Sequence, residues 1–236
     1  MQNRNSKSQS LPSASLVQNG LLGDVDLKAL KLICSNDDLR KWMTEPFSVG
    51  DHTASTNGWS LLVVEKKSDY PDMSDKTKSV YPTELCFTNK LEIAKVKDAI
   101  DKIPLIDCYD KVISKCDACY GNGNVDFEFE YKNRTYEIEG ECPVCEGEGQ
   151  TEQVSKTPNG KKEIDLSKYV RLGVNRLNIE RLFELIKVAE LKGVDEVLYQ
   201  LPVGNKPVAF KIGCDTILFL MPVAVAVDIE DCPNIA

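Results

Sequence analysis

The motif C-x-x-C-x-G-x-G occurs twice within a short stretch of the chain, as CDACYGNG from Cys116 and as CPVCEGEG from Cys142. A C-x-x-C pair lets two thiolates approach one ion from a tight turn, and the glycines behind it allow backbone conformations that other residues rarely adopt. Two such pairs complete a tetrahedral site of four thiolates, the usual coordination of structural zinc. The sequence therefore predicts zinc as a cofactor, with these ligands: Cys116, Cys119, Cys142 and Cys145.

The four cysteines are also compatible with two uses other than zinc binding. A disulfide or a thioredoxin-like redox pair would use the same residues, but the redox motif occurs once, at a helix start in a βαβ unit, and here the motif recurs with glycines behind it. Zinc is therefore favoured. His52 is the only histidine and is expected in a loop or strand, and the other cysteines are expected to be small core residues: Cys34, Cys86, Cys108, Cys214 and Cys232.

The segment VDFEFEYKNRTYEIEG, between the two motifs, alternates apolar and polar residues on both sides of Lys132-Asn133. This period of two predicts two strands joined by a tight turn. Zinc would then clamp the base of a protruding β-hairpin.

The repeated motif resembles the cysteine-rich module of DnaJ-type co-chaperones. The resemblance covers Cys116 to Gly149 and includes two of the four repeats of that family, without its J-domain His-Pro-Asp signature. It implies one zinc ion and does not imply a chaperone role.

Near the C-terminus, Leu182, Leu185, Ile186 and Ala189 recur at helical spacing, and Asn178 and Gly193 are suited to begin and end that helix. Three strands are predicted after it, EVLYQL, PVAFKI and TILFLMPVAV, with turns at Gly204-Asn205 and at Gly213 to Asp215.

This order of elements resembles the last domain of the bacterial sliding clamp, the β subunit of the replicative polymerase. The resemblance is carried by Leu177-Asn178 before the helix, Lys206-Pro207-Val208 in the second strand and Leu220-Met221-Pro222 at the end of the third. A second patch is similar, where Asn57-Gly58 precedes a hydrophobic strand as a T-D-G-like turn does in clamp domains. The implied fold is α+β and DNA-clamp-like, with helices backed by antiparallel sheets and a zinc-bound hairpin inserted.

The predicted domain organisation follows from these patches. A bacterial clamp chain has three domains of two helices each, whereas this chain offers three helices, so one clamp-type domain with large insertions and two abbreviated domains both remain open. The predicted segments are a disordered tail over 1–20, a clamp-like first half over 21–113, the zinc-binding insertion over 114–152, a clamp-like second half over 160–227 and a C-terminal tail over 228–236.

Candidate nucleic-acid contacts lie on the three helices, which begin near Asp26, Leu91 and Asn178. The clamp resemblance implies that such helices face DNA phosphates, with lysine and arginine as the contacting residues. Acidic residues on the same helices, such as Glu180 and Glu184, keep open the alternative of solvated helix faces. The candidate residues are Lys28, Lys31, Lys95, Arg181 and Lys187.

Composition limits the remaining function classes. A net charge of −8 argues against indiscriminate coating of nucleic acid or anionic membranes. The segment ILFLMPVAVAV is too short to span a bilayer and contains a proline, and the N-terminus lacks the apolar core of a signal peptide, so a cytoplasmic protein without a membrane partner is expected. No Ser/His/Asp set or phosphate-binding glycine loop is present, and no enzymatic activity is expected.

The sequence thus predicts a non-enzymatic, DNA-associated clamp-like scaffold or processivity-type factor with a structural zinc module. Its expected partners are duplex DNA, bound weakly and without sequence preference, a replication or repair protein, and further copies of itself. The alternative is a zinc-dependent adaptor that binds a protein or single-stranded nucleic acid through hairpin aromatics such as Phe127 and Phe129. A chaperone or thiol-redox role has the least support.

Overall fold

The computed structural model describes residues 22–36, 38–73, 85–202, 206–223 and 232–235. It divides into two compact units. Residues up to Ile103 and from Leu166 onward form one unit, called the body here, and Pro104–Asp165 forms the other, called the arm. The predicted tail over 1–20 and the turn at Gly204-Asn205 lie outside the described residues.

The body contains the three helices that the sequence predicted: α1 is Asp24–Ile33, α2 is Ile93–Asp101 and α3 is Ile179–Lys192. Helix α3 begins and ends as expected, because the Asn178 side chain accepts a 2.7 Å hydrogen bond from the Glu180 amide and Gly193 adopts a left-handed conformation with φ of 65°. Both α1 and α2 pack against α3. A short 3-10 helix covers Asp38–Met43.

The body strands form one seven-stranded antiparallel sheet in the order β1-β2-β3-β13-β12-β11-β4. A separate hairpin joins β9 and β10, immediately before α3. The strand bounds are β1 Phe47–Val49, β2 His52–Thr56, β3 Ser60–Val64, β4 Asn89–Glu92, β9 Tyr169–Leu172, β10 Asn175–Asn178, β11 Glu196–Gln200, β12 Val208–Ile212 and β13 Thr216–Leu220.

The sheet is built from two halves with the same order of elements. Helix α1 is followed by β1, β2 and β3, and α3 is followed by β11, β12 and β13. The halves meet where β3 pairs with β13, and Leu62 lies opposite Leu218 at the middle of that pair. The strand pairing therefore unites both halves in one sheet.

The hydrophobic core covers both faces of the central strands, since all five residues of β3 and all five of β13 are buried. Leu61, Val63 and Phe219 lie in one cluster with Phe47, and Trp42 packs on it. Alternation along a strand places Leu62 on the opposite face, and α1 packs on β3. Residues buried on both sides of a sheet give the continuous apolar runs seen in this sequence.

The described part of the predicted C-terminal tail belongs to the body. Ile235 is buried, and its amide donates a 2.9 Å hydrogen bond to the Arg171 carbonyl. Residues 232–235 therefore lie beside β9 and belong to the body.

The arm consists of two antiparallel ribbons. Strands β5 (Leu105–Lys115) and β8 (Gln150–Ile164) form the first ribbon, with register irregularities on both sides of Tyr109. Strands β6 (Asn124–Tyr131) and β7 (Arg134–Glu141) form the second. The insertion predicted over 114–152 lies within this larger unit, because β5 and β8 continue the pairing as far as Leu105 and Ile164.

The β6–β7 turn consists of Lys132 and Asn133, at φ of 48° and 58°. Two consecutive residues with positive φ are typical of a type I′ turn, whose twist matches that of the flanking strands. The alternating segment of the sequence therefore coincides with this hairpin.

Among the described residues, no helix has both the length and the apolar character needed to span a bilayer.

Candidate metal centre

Four cysteine sulfurs converge between the two ribbons of the arm. The Sγ atoms of Cys116, Cys119, Cys142 and Cys145 all lie within 4.8 Å of one another, and all four residues are buried. The Cys116–Cys142 and Cys119–Cys145 Sγ distances are 3.8 and 3.7 Å. Tetrahedral zinc with Zn–S bonds of about 2.3 Å implies S–S edges of about 3.8 Å, whereas a disulfide requires about 2.05 Å. The spacing fits four ligands around one ion and does not fit a disulfide.

The two C-x-x-C-x-G-x-G segments, called the knuckles here, hold each other through their backbones. The Cys116 amide donates to the Gly149 carbonyl at 2.9 Å, and the Cys142 amide donates to the Gly123 carbonyl at 2.7 Å. Each knuckle therefore fixes the first cysteine of the other. This reciprocity explains why the motif occurs as a pair.

The second glycine of each motif is required by close backbone packing. A Cβ atom on Gly123 would lie 2.3 Å from the Gly147 carbonyl oxygen, and one on Gly149 would lie 2.4 Å from the Gly121 carbonyl oxygen. Both residues also have positive φ, 81° and 71°. A larger side chain would therefore separate the knuckles and move the sulfurs apart.

Backbone amides of the knuckles point at the sulfurs. The Gly123 and Gly149 amides donate to Cys119 Sγ and Cys145 Sγ, each at 3.2 Å. Burial opposes ionisation of Cys119, but hydrogen bonds from the amides of Gly123 and Gly121, together with those from Cys145 and Cys116, outweigh it and lower the pKa of that thiol to about 7. Burial, together with the neighbouring cysteines, raises the pKa of Cys145 to about 11. Cys119 therefore ionises more readily than Cys145, and a bound cation would favour the thiolate form of the ligands.

The remaining cysteines differ from expectation in part. Cys86 and Cys214 are exposed, so the prediction that they are core residues is wrong for these two. Cys214 is exposed because it lies in the turn between β12 and β13, outside the sheet. Cys34 is half-buried, and burial together with Glu45 raises the pKa of its thiol to about 11. His52 begins β2, as a strand residue, and is not among the cysteine cluster's ligands.

The structure separates the five predicted phosphate contacts into two groups. Lys28 and Lys31 on α1 and Lys187 on α3 are exposed. Lys95 is exposed but pairs with Glu92 at 3.5 Å. Arg181 is paired with Glu184 and Glu180, and its side chain is only 18% exposed.

Glu184 is a structural residue that the sequence did not reveal. Its carboxylate accepts a 3.0 Å hydrogen bond from the Asn57 side chain and a 2.5 Å bond from the Ser60 hydroxyl, besides its pair with Arg181. It therefore ties α3 to the turn between β2 and β3. The sequence around Glu184 shows only an acidic residue on an amphipathic helix, because Asn57 and Ser60 lie more than a hundred residues away in the chain.

A second polar network, also not predicted, joins the two halves of the body. Lys66 lies 2.7 Å from Asp26 and 3.0 Å from Asp215, and Lys192 pairs with the same two carboxylates. Burial disfavours the Asp215 carboxylate, but hydrogen bonds from Lys66 and Lys192 outweigh this and lower its pKa to about 2. Similar bonds lower the pKa of Asp26 against the effect of its burial.

Helices α1 and α3 border a shared groove of about 560 Å³. Leu32 lines it from α1, and Phe183 and Lys187 line it from α3. The exposed lysine of α3 therefore lies beside α1.

No protein-family model and no curated protein matches the sequence. Among solved structures, the chain is similar to a protein from Eubacterium rectale described as a DNA polymerase III beta subunit, with 12% identity, a TM-score of 0.45 and coverage of 92% of this chain and 68% of that chain. For the DNA polymerase sliding clamps from Bacillus subtilis and Pseudomonas aeruginosa the identity is 11% and the TM-score 0.44 in each case. These comparisons cover 85% and 91% of this chain and 62% and 70% of the clamp chains. The chain thus spans about two thirds of the length of these proteins, and similarity at this level does not assign it to their family.

Proposed function

We propose that the protein is a non-enzymatic, clamp-like scaffold that contacts duplex DNA weakly through the helices of its body. The observation that carries this proposal is a set of three exposed lysines on two helices that pack against each other: Lys28, Lys31 and Lys187. None of the three makes an ion pair within the described part of the chain, so their charge is available for phosphates. Lys95 and Arg181 are weaker candidates, because carboxylates already neutralise them.

The distribution of charge supports contact through the body. The arm has fourteen Asp and Glu residues against seven Lys and Arg, so it accounts for −7 of the net charge of −8. The body is close to neutral. Its helices can therefore approach DNA without the general repulsion that the net charge of the whole chain suggests.

The contact is expected to be weak and independent of sequence. Lysines that neutralise three phosphates give a salt dependence of affinity with a log–log slope of about −2.7, and non-specific dissociation constants are typically about 10⁻⁴ to 10⁻⁶ M. Stable retention on DNA would then require a second copy of the chain or a replication or repair protein. The β1 edge of the sheet is covered, because the Ser48 backbone bonds to Pro71 and Met73. At the other end, β4 pairs only with β11 among the described strands, and an open edge of this kind favours strand pairing between copies.

Zinc has a structural role in this proposal. Cys116, Cys119, Cys142 and Cys145 would hold it, and its two positive charges would offset half of the charge of four buried thiolates. A closed site with four protein ligands has no open position for substrate, which agrees with a non-enzymatic function.

The test replaces Lys28, Lys31 and Lys187 together with alanine. We expect affinity for a labelled DNA duplex at low salt, measured by fluorescence anisotropy, to fall roughly tenfold or more, because three phosphate contacts are lost. The matched control replaces three exposed arm lysines, Lys115, Lys156 and Lys161, and should leave affinity unchanged. Equal losses in both variants, or no association of the wild-type protein at any salt concentration, would contradict the proposal.

A further inference from the structure

The β6–β7 hairpin has two chemically distinct faces. The register pairs Phe127 with Ile138 and Phe129 with Tyr136 on one face, and the latter two rings stack with centroids 5.1 Å apart. These side chains are 40–55% exposed, although they form the hairpin's apolar face. Nothing in the described part of the chain covers this aromatic face.

The opposite face is acidic. Asp126 lies directly across from Glu139, and Glu128 lies directly across from Glu137. Like charges directly opposite in a sheet destabilise the pairing. The acidic pairs therefore do not stabilise the hairpin by itself. A cationic partner bound to this face would explain why acidic residues lie opposite each other there.

Both edges of the hairpin are open. Strands β6 and β7 pair only with each other among the described residues, so the outer edge of each presents unpaired backbone donors and acceptors. An extended segment can add to such an edge through main-chain hydrogen bonds.

We propose that the hairpin binds an extended segment of a partner protein in which apolar residues alternate with lysine or arginine. A strand added to either edge continues the pleat, so its successive side chains point to opposite faces. The apolar residues would lie beside the aromatic face, and the basic residues would lie beside the acidic face. A single alternation of apolar and basic residues in the partner segment would thus complement both faces of the hairpin.

The charge of the region selects against single-stranded nucleic acid as the occupant. Residues 117–148 carry nine Asp and Glu residues and two Lys and Arg residues. Aromatic residues that stack on bases work together with a positively charged groove that follows the phosphates. The aromatic face of this hairpin is instead surrounded by carboxylates, whose negative charge repels a phosphate backbone.

The probe is a fluorescein-labelled ten-residue peptide of alternating lysine and valine, titrated with the full-length, zinc-loaded protein. We expect it to bind at least tenfold more tightly than a peptide of the same composition with five lysines followed by five valines. Only the alternating peptide can place all its charges on one face of an added strand.

Two variants locate the site. Glu128→Lys combined with Glu137→Lys, and separately Phe129→Ser, should each weaken binding of the alternating peptide at least tenfold. The matched control, Glu152→Lys combined with Glu163→Lys, changes the charge equally on β8 and should have little effect. Unchanged zinc content and circular dichroism show that the hairpin variants remain folded.

Several results would overturn the proposal. These are equal affinity for the two peptides, no binding of either, equal weakening in the β8 control, or tighter binding of an oligothymidine probe that depends on Phe129. Concentration-dependent dimerisation abolished by Phe129→Ser would assign the aromatic face to a second copy of the chain instead. DNA association of the body lysines is measured separately, so failure of either proposal leaves the other testable.

Discussion

The body and the arm are stabilised in different ways. In the body, helices and covering segments bury both faces of the central strands, and every residue of β3 is buried. In the arm, the strands are largely exposed, and the buried side chains are the four cysteines. Apolar burial therefore suffices to hold the body, whereas a two-stranded ribbon is at best marginally stable alone and depends on its cross-link.

The largest effect is expected from removal of the proposed zinc ion. Structural zinc contributes on the order of 10 kcal/mol in small zinc-binding peptides, so chelation at neutral pH, or Cys142→Ser, should unfold the knuckles and the β6–β7 hairpin. Amide hydrogen exchange should show loss of protection over β6 and β7, with protection of β3 and β13 retained. A metal-free chain with a protected hairpin would contradict the prediction.

Substitution of glycines within the arm gives a smaller and more specific perturbation. Gly123→Ala should lower zinc affinity strongly, because its Cβ would lie 2.3 Å from the Gly147 carbonyl oxygen. Gly160→Ala is the matched control, since Gly160 has a φ of 82°, close to that of Gly123, but open space around its Cβ position.

Strain from positive φ alone costs about 1–2 kcal/mol at either position. The difference between the two variants in a competition titration with a zinc indicator therefore isolates the contact between the knuckles. Equal losses of affinity would show that backbone strain alone explains the glycine.

The smallest effect is expected in the body, on acidification. The folded-state pKa of Asp215 is about 2, below the ordinary aspartate value of 3.8, so its contribution is present above pH 4 and is lost as the pH falls through about 2. That contribution is on the order of 2 kcal/mol. Asp215→Asn should reduce the denaturation midpoint of the body at pH 6 and also flatten its decline between pH 4 and 2. An unchanged acid profile would show that Lys66 and Lys192 do not stabilise the folded state through this carboxylate.

Local patterns in the sequence predicted where helices and strands lie better than they predicted which elements contact each other. The spacing of Leu182, Leu185 and Ile186 located α3, and Asn178 and Gly193 marked its ends, because helix periodicity and capping depend on neighbouring residues. The alternation around Lys132 and Asn133 located β6 and β7 for the same reason. The four cysteines came together as the motif predicted.

What the sequence did not predict depends on residues far apart in the chain. The pairing of β3 with β13, the contacts of Glu184 with Asn57 and Ser60, and the network around Asp26 all join separate parts of the chain. Arg181 is a different case, because its partners Glu180 and Glu184 are near it on the same helix and the sequence had left a solvated helix face open as an alternative to phosphate contact. The reach of β5 and β8 beyond the cysteines was missed too, since their exposed residues give weak alternation.

The pairing of β3 with β13 also has a consequence for how the chain folds. The central strands of the sheet come from the two halves of the body and are separated in the chain by the arm, and closing so long a loop costs entropy that grows with the logarithm of its length. The arm brings its own ends together, since Leu105 pairs with Ile164. If the arm binds zinc as proposed, an arm that has already folded around the ion would behave as a short connection, and metal binding during synthesis should precede closure of the sheet.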